Sequence, residues 1–428
     1  MEINNNIDNI NNIRDQVTIH KGLLKGSVTL PISKSIAHRV ILATALSEIT
    51  GQSQGALLSI EKTLENPAED LIHTLDCGKK LVAHYKGNQE ALLKLNCGDS
   101  GTTLRMVLPI ACTLFKAVDI TLNEGLAKRP ITPLLDLMSQ KGCQFEKTEN
   151  IDGSCTIKCR GKFPGGACHI RGDISSQYIS GLLYALPLSS LGGEIKLTTQ
   201  LNSKPYVDMT LAILKDAGIK VWETCQDGHL TYTLLGKQLF QLTQHNISQG
   251  DWSAAGFFAV ANALGCQVKM TNLEEDSLQG DKEIYKFINI ICSSEDSTVN
   301  LEDHPDLFPI LAVLASLQEK TTTFIGIERL KLKESDRIKS TKAMLQSLKF
   351  EDFVQRGGGH EPLSVEIKGS GKLSGGIVNS YMDHRIAMAA AIGACLACGS
   401  VTILNASCCS KSYPGFFEDF RNLGGKID

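Results

Sequence analysis

Gly172-Asp173-Ile174-Ser175-Ser176-Gln177-Tyr178 and, later in the chain, Gly250-Asp251-Trp252-Ser253-Ala254-Ala255-Gly256-Phe257 read as two versions of one helix start. In each, a glycine allows tight entry from a strand, an aspartate stands where an N-cap is wanted, and an apolar helical run follows. Gly98-Asp99-Ser100-Gly101 and Gly280-Asp281-Lys282-Glu283 carry the same pair. Four independent caps would also write this pattern, but the closer match of the first two stretches favours repetition. Between the helical runs lie short strand-like ones, such as Val17-Thr18-Ile19 and Gly26-Ser27-Val28-Thr29-Leu30. Together they predict a mixed α/β chain built from repeated units.

A chain of 428 residues is too long for one ordinary core and predicts two domains. The polar stretch from Gln241 to Gln249 is the candidate hinge, and the Asn-rich first sixteen residues read as a weakly held start. With 42% hydrophobic and 21% charged residues the composition is globular. A formal net charge of -3 gives no global attraction to nucleic acid or to an anionic membrane, so any anion site must be local. No apolar run approaches the roughly 20 residues of a membrane span, which predicts a cytoplasmic protein. The 14 cysteines are dispersed and read as small core residues of a reduced compartment. Cys395 and Cys398 form a C-x-x-C, yet they end an Ala-rich run and read as core. No cluster at metal-ligand spacing is present, so neither a metal nor any other cofactor is expected.

Two segments carry local anion chemistry. In Leu30-Pro31-Ile32-Ser33-Lys34-Ser35-Ile36-Ala37-His38-Arg39, Ser33 is the expected cap of a helix. Ser35 and Arg39 share a face of it, and Lys34 stands in the first turn, where free N–H groups favour an anion. A capped surface helix with ordinary basic residues is the plainer account of that segment taken alone. In Leu95-Asn96-Cys97-Gly98-Asp99-Ser100-Gly101-Thr102-Thr103-Leu104-Arg105 a glycine-rich turn enters a helix, and Gly101 lets a ligand approach the backbone. Neither G-x-G-x-x-G nor G-K-[ST] is present, so no nucleotide is implied.

These segments, with Lys128-Arg129-Pro130, Ser175-Ser176-Gln177, Ser203-Lys204-Pro205-Tyr206, Asp303-His304-Pro305-Asp306, Lys333-Glu334-Ser335-Asp336-Arg337, Asp383-His384-Arg385 and Lys411-Ser412-Tyr413-Pro414, follow one another in the order of a known family. The chain thereby resembles the 5-enolpyruvylshikimate-3-phosphate synthase family over residues 17 to 428. The resemblance implies a two-domain inside-out α/β barrel of enolpyruvyl transferase type, with three βαβαββ repeats per domain, helices inside and sheets outside. It places domain 1 at 21–244, inserted and on the shikimate 3-phosphate side. Domain 2 is then 1–20 with 245–428, bearing the catalytic aspartate and the phosphoenolpyruvate-binding cations.

The reaction implied is addition of the 5-hydroxyl of shikimate 3-phosphate to C2 of phosphoenolpyruvate, protonation at C3, and loss of phosphate. By resemblance Lys34, Ser35, Arg39, Ser175, Ser176, Gln177, Ser203, Tyr206, Asp306, Arg329 and Lys333 hold shikimate 3-phosphate. Lys34, Gly101, Arg129, Gln177, Arg337, Arg385 and Lys411 hold phosphoenolpyruvate. Asp306 is the expected base for the hydroxyl, and Lys34 and Glu334 the candidates for the C3 proton. Both ligands are polyanions, and the many cations suit them: Arg for bidentate contact, Lys as a mobile charge. Their spread along the sequence implies a site assembled from both domains, in a monomer whose partners are its small-molecule substrates.

Ser203 and Tyr206 also fit as strand and turn residues, Asp336 as a helix cap, Arg329 as a surface charge, and His384 as a support for Arg385. The sister transferase acting on UDP-N-acetylglucosamine usually has a cysteine in the loop that here reads Asn123-Glu124-Gly125-Leu126-Ala127-Lys128-Arg129-Pro130, and Lys-Asn where this chain has Lys34-Ser35. RNA 3′-phosphate cyclases match the anion residues poorly. A non-catalytic phosphometabolite-binding relative is disfavoured by Lys34, Asp306 and Glu334 standing together. The sequence departs from the family at Asp99-Ser100, where Asn-Ala is common, and at Met106, where Pro is common.

Overall fold

The computed structural model describes residues 15–226, 228–242, 247–359 and 361–428. The Asn-rich start up to residue 14 and residues 243–246 of the expected hinge lie outside them. The chain divides into two compact units, residues 33–247 and residues up to 32 together with 248–428. Strands β1 (Gln16–His20) and β2 (Lys25–Thr29) belong to the second of these. The inserted unit starts at residue 33, where the resemblance implies 21; β2 pairs in parallel with residues 267–271 of its own unit.

The inserted unit begins with three helices, α1 (Lys34–Ile49), α2 (Ala56–Thr63) and α3 (Glu69–Lys86). A βαβαββ unit follows: β3 (Leu93–Gly98), α4 (Gly101–Leu114), β4 (Ala117–Leu122), α5 (Glu124–Ala127), α6 (Thr132–Ser139), β5 (Gln144–Glu149) and β6 (Cys155–Arg160). The sheet order is β3-β4-β6-β5, a parallel pair extended by an antiparallel hairpin. The next unit repeats it with β7 (Gly166–Ile170), α7 (Ser176–Ala185), β8 (Gly193–Leu197), α8 (Lys204–Asp216), β9 (Val221–Gln226) and β10 (His229–Leu234), ordered β7-β8-β10-β9.

The discontinuous unit uses the same pattern. Helix α9 (Trp252–Ala263) leads to β11 (Gln267–Thr271), the parallel partner of β2, and to α10 (Ile284–Ile291). Then come β12 (Ser297–Asn300), α11 (Phe308–Ser316), β13 (Thr321–Ile325), α12 (Arg337–Ser347), β14 (Phe353–Gly358) and β15 (Glu361–Lys368), ordered β12-β13-β15-β14. The last sheet has β16 (Gly376–Asn379), α13 (His384–Ala394), β17 (Val401–Leu404), α14 (Phe416–Asn422) and β18 (Lys426–Ile427). Its order is β16-β17-β1-β18, so the first strand of the chain fills the place that a hairpin strand fills elsewhere. Among the described residues the unit expected three times per domain closes a four-stranded sheet twice in each. A further parallel pair, β2 with β11, lies in the discontinuous unit.

Helices inside and sheets outside follow from the apolar pattern. Every residue of α11 and α13 is buried, whereas strands such as β4 and β8 alternate buried with half-buried or exposed positions. In α4, Pro109 withholds the N–H that would bond the Arg105 carbonyl. Gly181 of α7 lies against that carbonyl, where a Cβ would come within 2.2 Å, so the two helices pack backbone to backbone.

The shared Gly-Asp helix start is realised in full at Asp251, whose carboxylate accepts from the Ala254 N–H. At the other three it is not. Ser100 caps α4 and Ser175 caps α7, one and two residues beyond the aspartates, and Gly280–Glu283 is a 3-10 turn ahead of α10. A serine hydroxyl reaches the N2 or N3 amide as well as a carboxylate does, and the nearer residue takes the position. Ser33 caps α1 as expected, and Asp336 caps α12. Cys395 is buried just after α13, but Cys398 is exposed.

Candidate active site

In the inserted unit the N-termini of α1, α4 and α7 carry the candidate residues. Lys34, on the first turn of α1, donates from Nζ to Asp70 Oδ2 of α3 at 2.7 Å, with both side chains largely buried. One turn on, Arg39 is 1% exposed and held by three acceptors: Ser35 O at 2.6 Å, Tyr206 O at 2.7 Å and Thr210 Oγ1 at 2.8 Å. Burial pulls it down to about 10, with Tyr184 and Tyr206 opposing, so it is a cation at neutral pH. It thereby ties the start of α1 to the start of α8, where Ser203 is buried with a left-handed φ of 57° and Tyr206 occupies the first turn.

A second cluster forms around Gly101. A Cβ there would meet Arg105 Nη1 at 2.8 Å and Arg129 Nη1 at 3.0 Å, so both guanidinium groups lie against this glycine. Arg105 Nη1 donates to Gln177 Oε1 at 2.7 Å, and Gln177 Nε2 donates to Thr102 Oγ1 at 2.8 Å. Arg105 also donates to Pro130 O at 3.1 Å, which Tyr178 Oη reaches at 2.6 Å, and lies over the Tyr178 ring. Ser175 and Ser176 are buried at the start of the same helix.

Behind the helix ends runs a chain of short hydrogen bonds: Ser100 to Thr103, Thr103 to Thr74, and Thr74 to His38, each at 2.6 Å. Burial first, then the Lys34 and Arg39 charges, hold His38 well below its usual range, so it is neutral. Asp99 turns away from this cluster, with Oδ2 accepting from Asn123 Nδ2 at 3.3 Å, and Met106 is fully buried.

In the discontinuous unit the motifs converge on Asp306, on the 3-10 turn before α11. Its Oδ1 accepts from Lys333 Nζ at 3.0 Å and Arg337 Nη1 at 2.6 Å, and its Oδ2 from Arg385 Nη2 at 3.1 Å. Burial alone would raise this carboxyl. Arg385, Lys333 and Arg337 outweigh it and hold Asp306 well below the usual carboxylate range.

Arg337, 1% exposed at the first position of α12, also donates to Glu334 Oε2 at 2.6 Å and to Asp383 Oδ2 at 2.8 Å. Burial disfavours its charge, but Asp383, Glu334 and Asp306 overcome that and raise it well above its usual value. Lys333 is drawn down to about 8 by burial, with Asp306 and Glu334 opposing and Arg337 and Arg329 adding repulsion. Arg329 stands on the 3-10 turn preceding Lys333, half-buried, and acts on it through charge. Asp383 caps α13 through the Arg385 N–H at 3.0 Å, after two left-handed residues, Tyr381 and Met382. Lys411 Nζ donates to the Met382 carbonyl at 3.3 Å.

The structure thus gathers Lys34, Ser35, Arg39, Tyr206 and Ser203 at one set of helix starts, and Gly101, Arg129 and Gln177 at another. Asp306, Lys333, Glu334, Arg337 and Arg385 form one ion-pair cluster. Sequence reasoning left out Asp70, Arg105, Asp383 and Asp281. Arg105 follows Gly101 by one helical turn and Asp383 directly precedes the capped helix, so spacing carried a signal for both. Asp281, read as a helix start, is a carboxyl 2% exposed that accepts from Ser253. Burial and the Asp306 charge raise its pKa. Nothing in the local sequence marks Asp70.

The family model for EPSP synthase (3-phosphoshikimate 1-carboxyvinyltransferase) matches residues 19–420. A 3-phosphoshikimate 1-carboxyvinyltransferase of Clostridium kluyveri is 35% identical, covering 96% of this chain and 98% of the relative. One of Methanocorpusculum labreanum is 34% identical, covering 96% and 99%. Among solved structures, the EPSP synthase of Acinetobacter baumannii superposes with a TM-score of 0.68 at 22% identity, over 96% of this chain and 99% of that one. The enolpyruvyl transferase NikO of Streptomyces tendae does so at 0.62 and 14% identity, over 96% and 98%. The two-domain mixed α/β fold read from the motifs is the fold of these neighbours, and the chain belongs to the EPSP synthase family.

Proposed function

We propose that the protein transfers the enolpyruvyl group of phosphoenolpyruvate to the 5-hydroxyl of shikimate 3-phosphate, releasing phosphate, and that it works as a cytoplasmic monomer. Lys333, Arg337 and Arg385 gathered on one carboxylate carry this proposal, supported by the family match. Lys333, Arg337 and Arg385 point their donors at one carboxylate, an arrangement of cations that suits a polyanionic ligand. No helix among the described residues is long and apolar enough to cross a membrane.

In this scheme the phosphate and carboxylate of phosphoenolpyruvate take Arg337, Arg385 and Lys411, with Lys34, Gly101, Arg129 and Gln177 as further contacts. Shikimate 3-phosphate takes Lys34, Ser35, Arg39, Ser175, Ser176, Gln177, Ser203, Tyr206, Asp306, Arg329 and Lys333. Asp306 accepts the hydroxyl proton as the C–O bond forms at C2, while Lys34 or Glu334 delivers a proton to C3. Loss of that proton and of phosphate then closes the sequence. The surrounding cations stabilise the charge that develops on the way.

Purified protein should release phosphate from phosphoenolpyruvate only when shikimate 3-phosphate is also present. Release with UDP-N-acetylglucosamine instead would move the assignment to the sister transferase, and release with neither would remove it. A subtler test is Gly101→Ala. The three atoms nearest the added methyl all belong to the guanidinium ends of Arg105 and Arg129, and Ala is the better helix former, so the fold should tolerate it. Both guanidinium groups must move, which should raise KM for phosphoenolpyruvate about tenfold while leaving the melting temperature in place. An unchanged KM would show that neither arginine reaches that ligand.

A further inference from the structure

The helix starts that carry Lys34 and Gly101 are joined from behind by four side chains, none more than 1% exposed: His38 of α1, Thr74 of α3, and Ser100 and Thr103 at the start of α4. Contacts of 2.6 Å link them in a row. Each contact that short between two electronegative atoms must hold a proton, and each hydroxyl has one to give. Thr103 Oγ1 gives its proton to Ser100 Oγ, which also accepts from the Thr103 N–H at 3.2 Å. Thr74 must then supply the proton between itself and Thr103, and only His38 Nδ1 is left to supply the last. His38 therefore carries its proton on Nδ1, and its buried Nε2, which meets no donor among the described residues, is the bare nitrogen. Burial and the Lys34 and Arg39 charges keep a second proton off the ring. Both threonine hydroxyls also approach the Asp70 carbonyl, Thr74 at 3.2 Å and Thr103 at 3.4 Å, as the longer arms of three-centre bonds.

We propose that His38 is a positioning residue, whose Nδ1–H starts a one-way relay through Thr74 and Thr103 to Ser100 that fixes Asp70 and, through its carboxylate, the Lys34 ammonium. Asp70 lies in the first turn of α3 and Lys34 in that of α1, so the 2.7 Å bond between their side chains is only as well placed as the two helix starts. The relay crosses from α1 to α3 to α4 and closes on the Asp70 backbone. A lysine ammonium on its flexible stem needs such a fixed partner to hold one direction. Thr102, beside Thr103, accepts from Gln177 Nε2, so the last helix of the relay is tied to α7 as well. This role rests on Lys34 binding substrate and handling the C3 proton as proposed above, and His38 acts only through it.

The test compares kcat/KM for phosphate release in wild type and in His38→Leu, which should lose about tenfold, as small displacements of a positioned group do. The same substitution on top of Asp70→Ala, where Lys34 has already lost its partner, should cost less than about twofold, since groups that act through one another are not additive. The full loss in both backgrounds, or wild-type rates in Asp70→Ala, overturns the proposal. His38→Asn sets an amide N–H near the place of Nδ1 and should recover most of the activity, whereas His38→Gln, reaching toward the place of Nε2, should not. Recovery by glutamine alone, or by neither, overturns the role of Nδ1. Should His38→Leu fail to fold, Thr74→Val keeps the side-chain shape, breaks the relay at its middle and is read in the same two backgrounds. NMR of the full chain labelled with nitrogen-15 histidine reads the relay without activity. The His38 ring, identified by its absence in His38→Asn, should hold its proton on Nδ1 and stay neutral through the ordinary histidine midpoint of about 6.5. A proton on Nε2, or a ring that titrates there, overturns the proposal. The expected tautomer in a protein that releases no phosphate would uphold the relay and remove the assigned reaction instead.

Discussion

Asp306→Asn should lower kcat for phosphate release by roughly 10²–10⁴-fold, the range that a positioned proton acceptor supplies. The amide keeps the shape and one acceptor oxygen but cannot take the hydroxyl proton. Affinity for phosphoenolpyruvate should stay the same or tighten, because the variant removes a carboxylate that occupies Lys333, Arg337 and Arg385. Titration calorimetry beside the kinetic assay separates the two effects, and full activity in the variant would remove Asp306 from the chemistry.

The same substitution has a signature in acid. The carboxyl is depressed in the folded state, so its contribution to stability is complete above the ordinary aspartate pKa of about 3.9 and is lost as pH falls toward the lower folded value. Denaturation of Asp306→Asn should therefore be less pH-dependent than wild type below about pH 4. At neutral pH it should cost about 3 kcal/mol, since three cations lose a shared partner.

Arg337→Ala should have the largest effect on stability. One guanidinium that is almost wholly buried serves Asp306, Glu334 and Asp383, and its removal takes a shared cation from all three while Lys333 and Arg385 still hold Asp306. Breaking a buried ion pair from one side costs about 3–5 kcal/mol, and the melting temperature should fall by on the order of 10 °C. Arg337→Lys should not rescue it, because an ammonium cannot reach three carboxylates in different directions as a planar fork does. A melting temperature within about 2 °C of wild type would show that these carboxylates find other partners or protonate.

Local order was legible where a residue acts on its own neighbours. Ser33, Asp251 and Asp336 cap the helices that the sequence assigns to them, and the alternation of strands with apolar helical runs gives the mixed α/β class. The caps at Ser100 and Ser175 were misplaced because Asp and Ser compete at adjacent positions, and their small preference difference does not decide between them. Partners distant in sequence were not legible at all. Asp70 pairs with Lys34 across two helices, and Asp383 reaches Arg337 from another motif. Motif order gathered the cations. It did not show that in the structure Arg39 is held by two carbonyls and a hydroxyl, or that Asp306 lies among three positive charges.

The place of β1 in the last sheet sets an order of events during synthesis. Residues 33–247 form a contiguous unit whose described strands all pair within it, so none of them waits for residues made later. Strand β1 is made first, yet its partners β17 and β18 are among the last residues made. At 5–20 residues per second it waits on the order of tens of seconds with its backbone groups unpaired. A nascent chain is therefore expected to pass through a state in which the insert is folded while the earliest strand is still an open edge. That interval is when the chain is most exposed to wrong pairing.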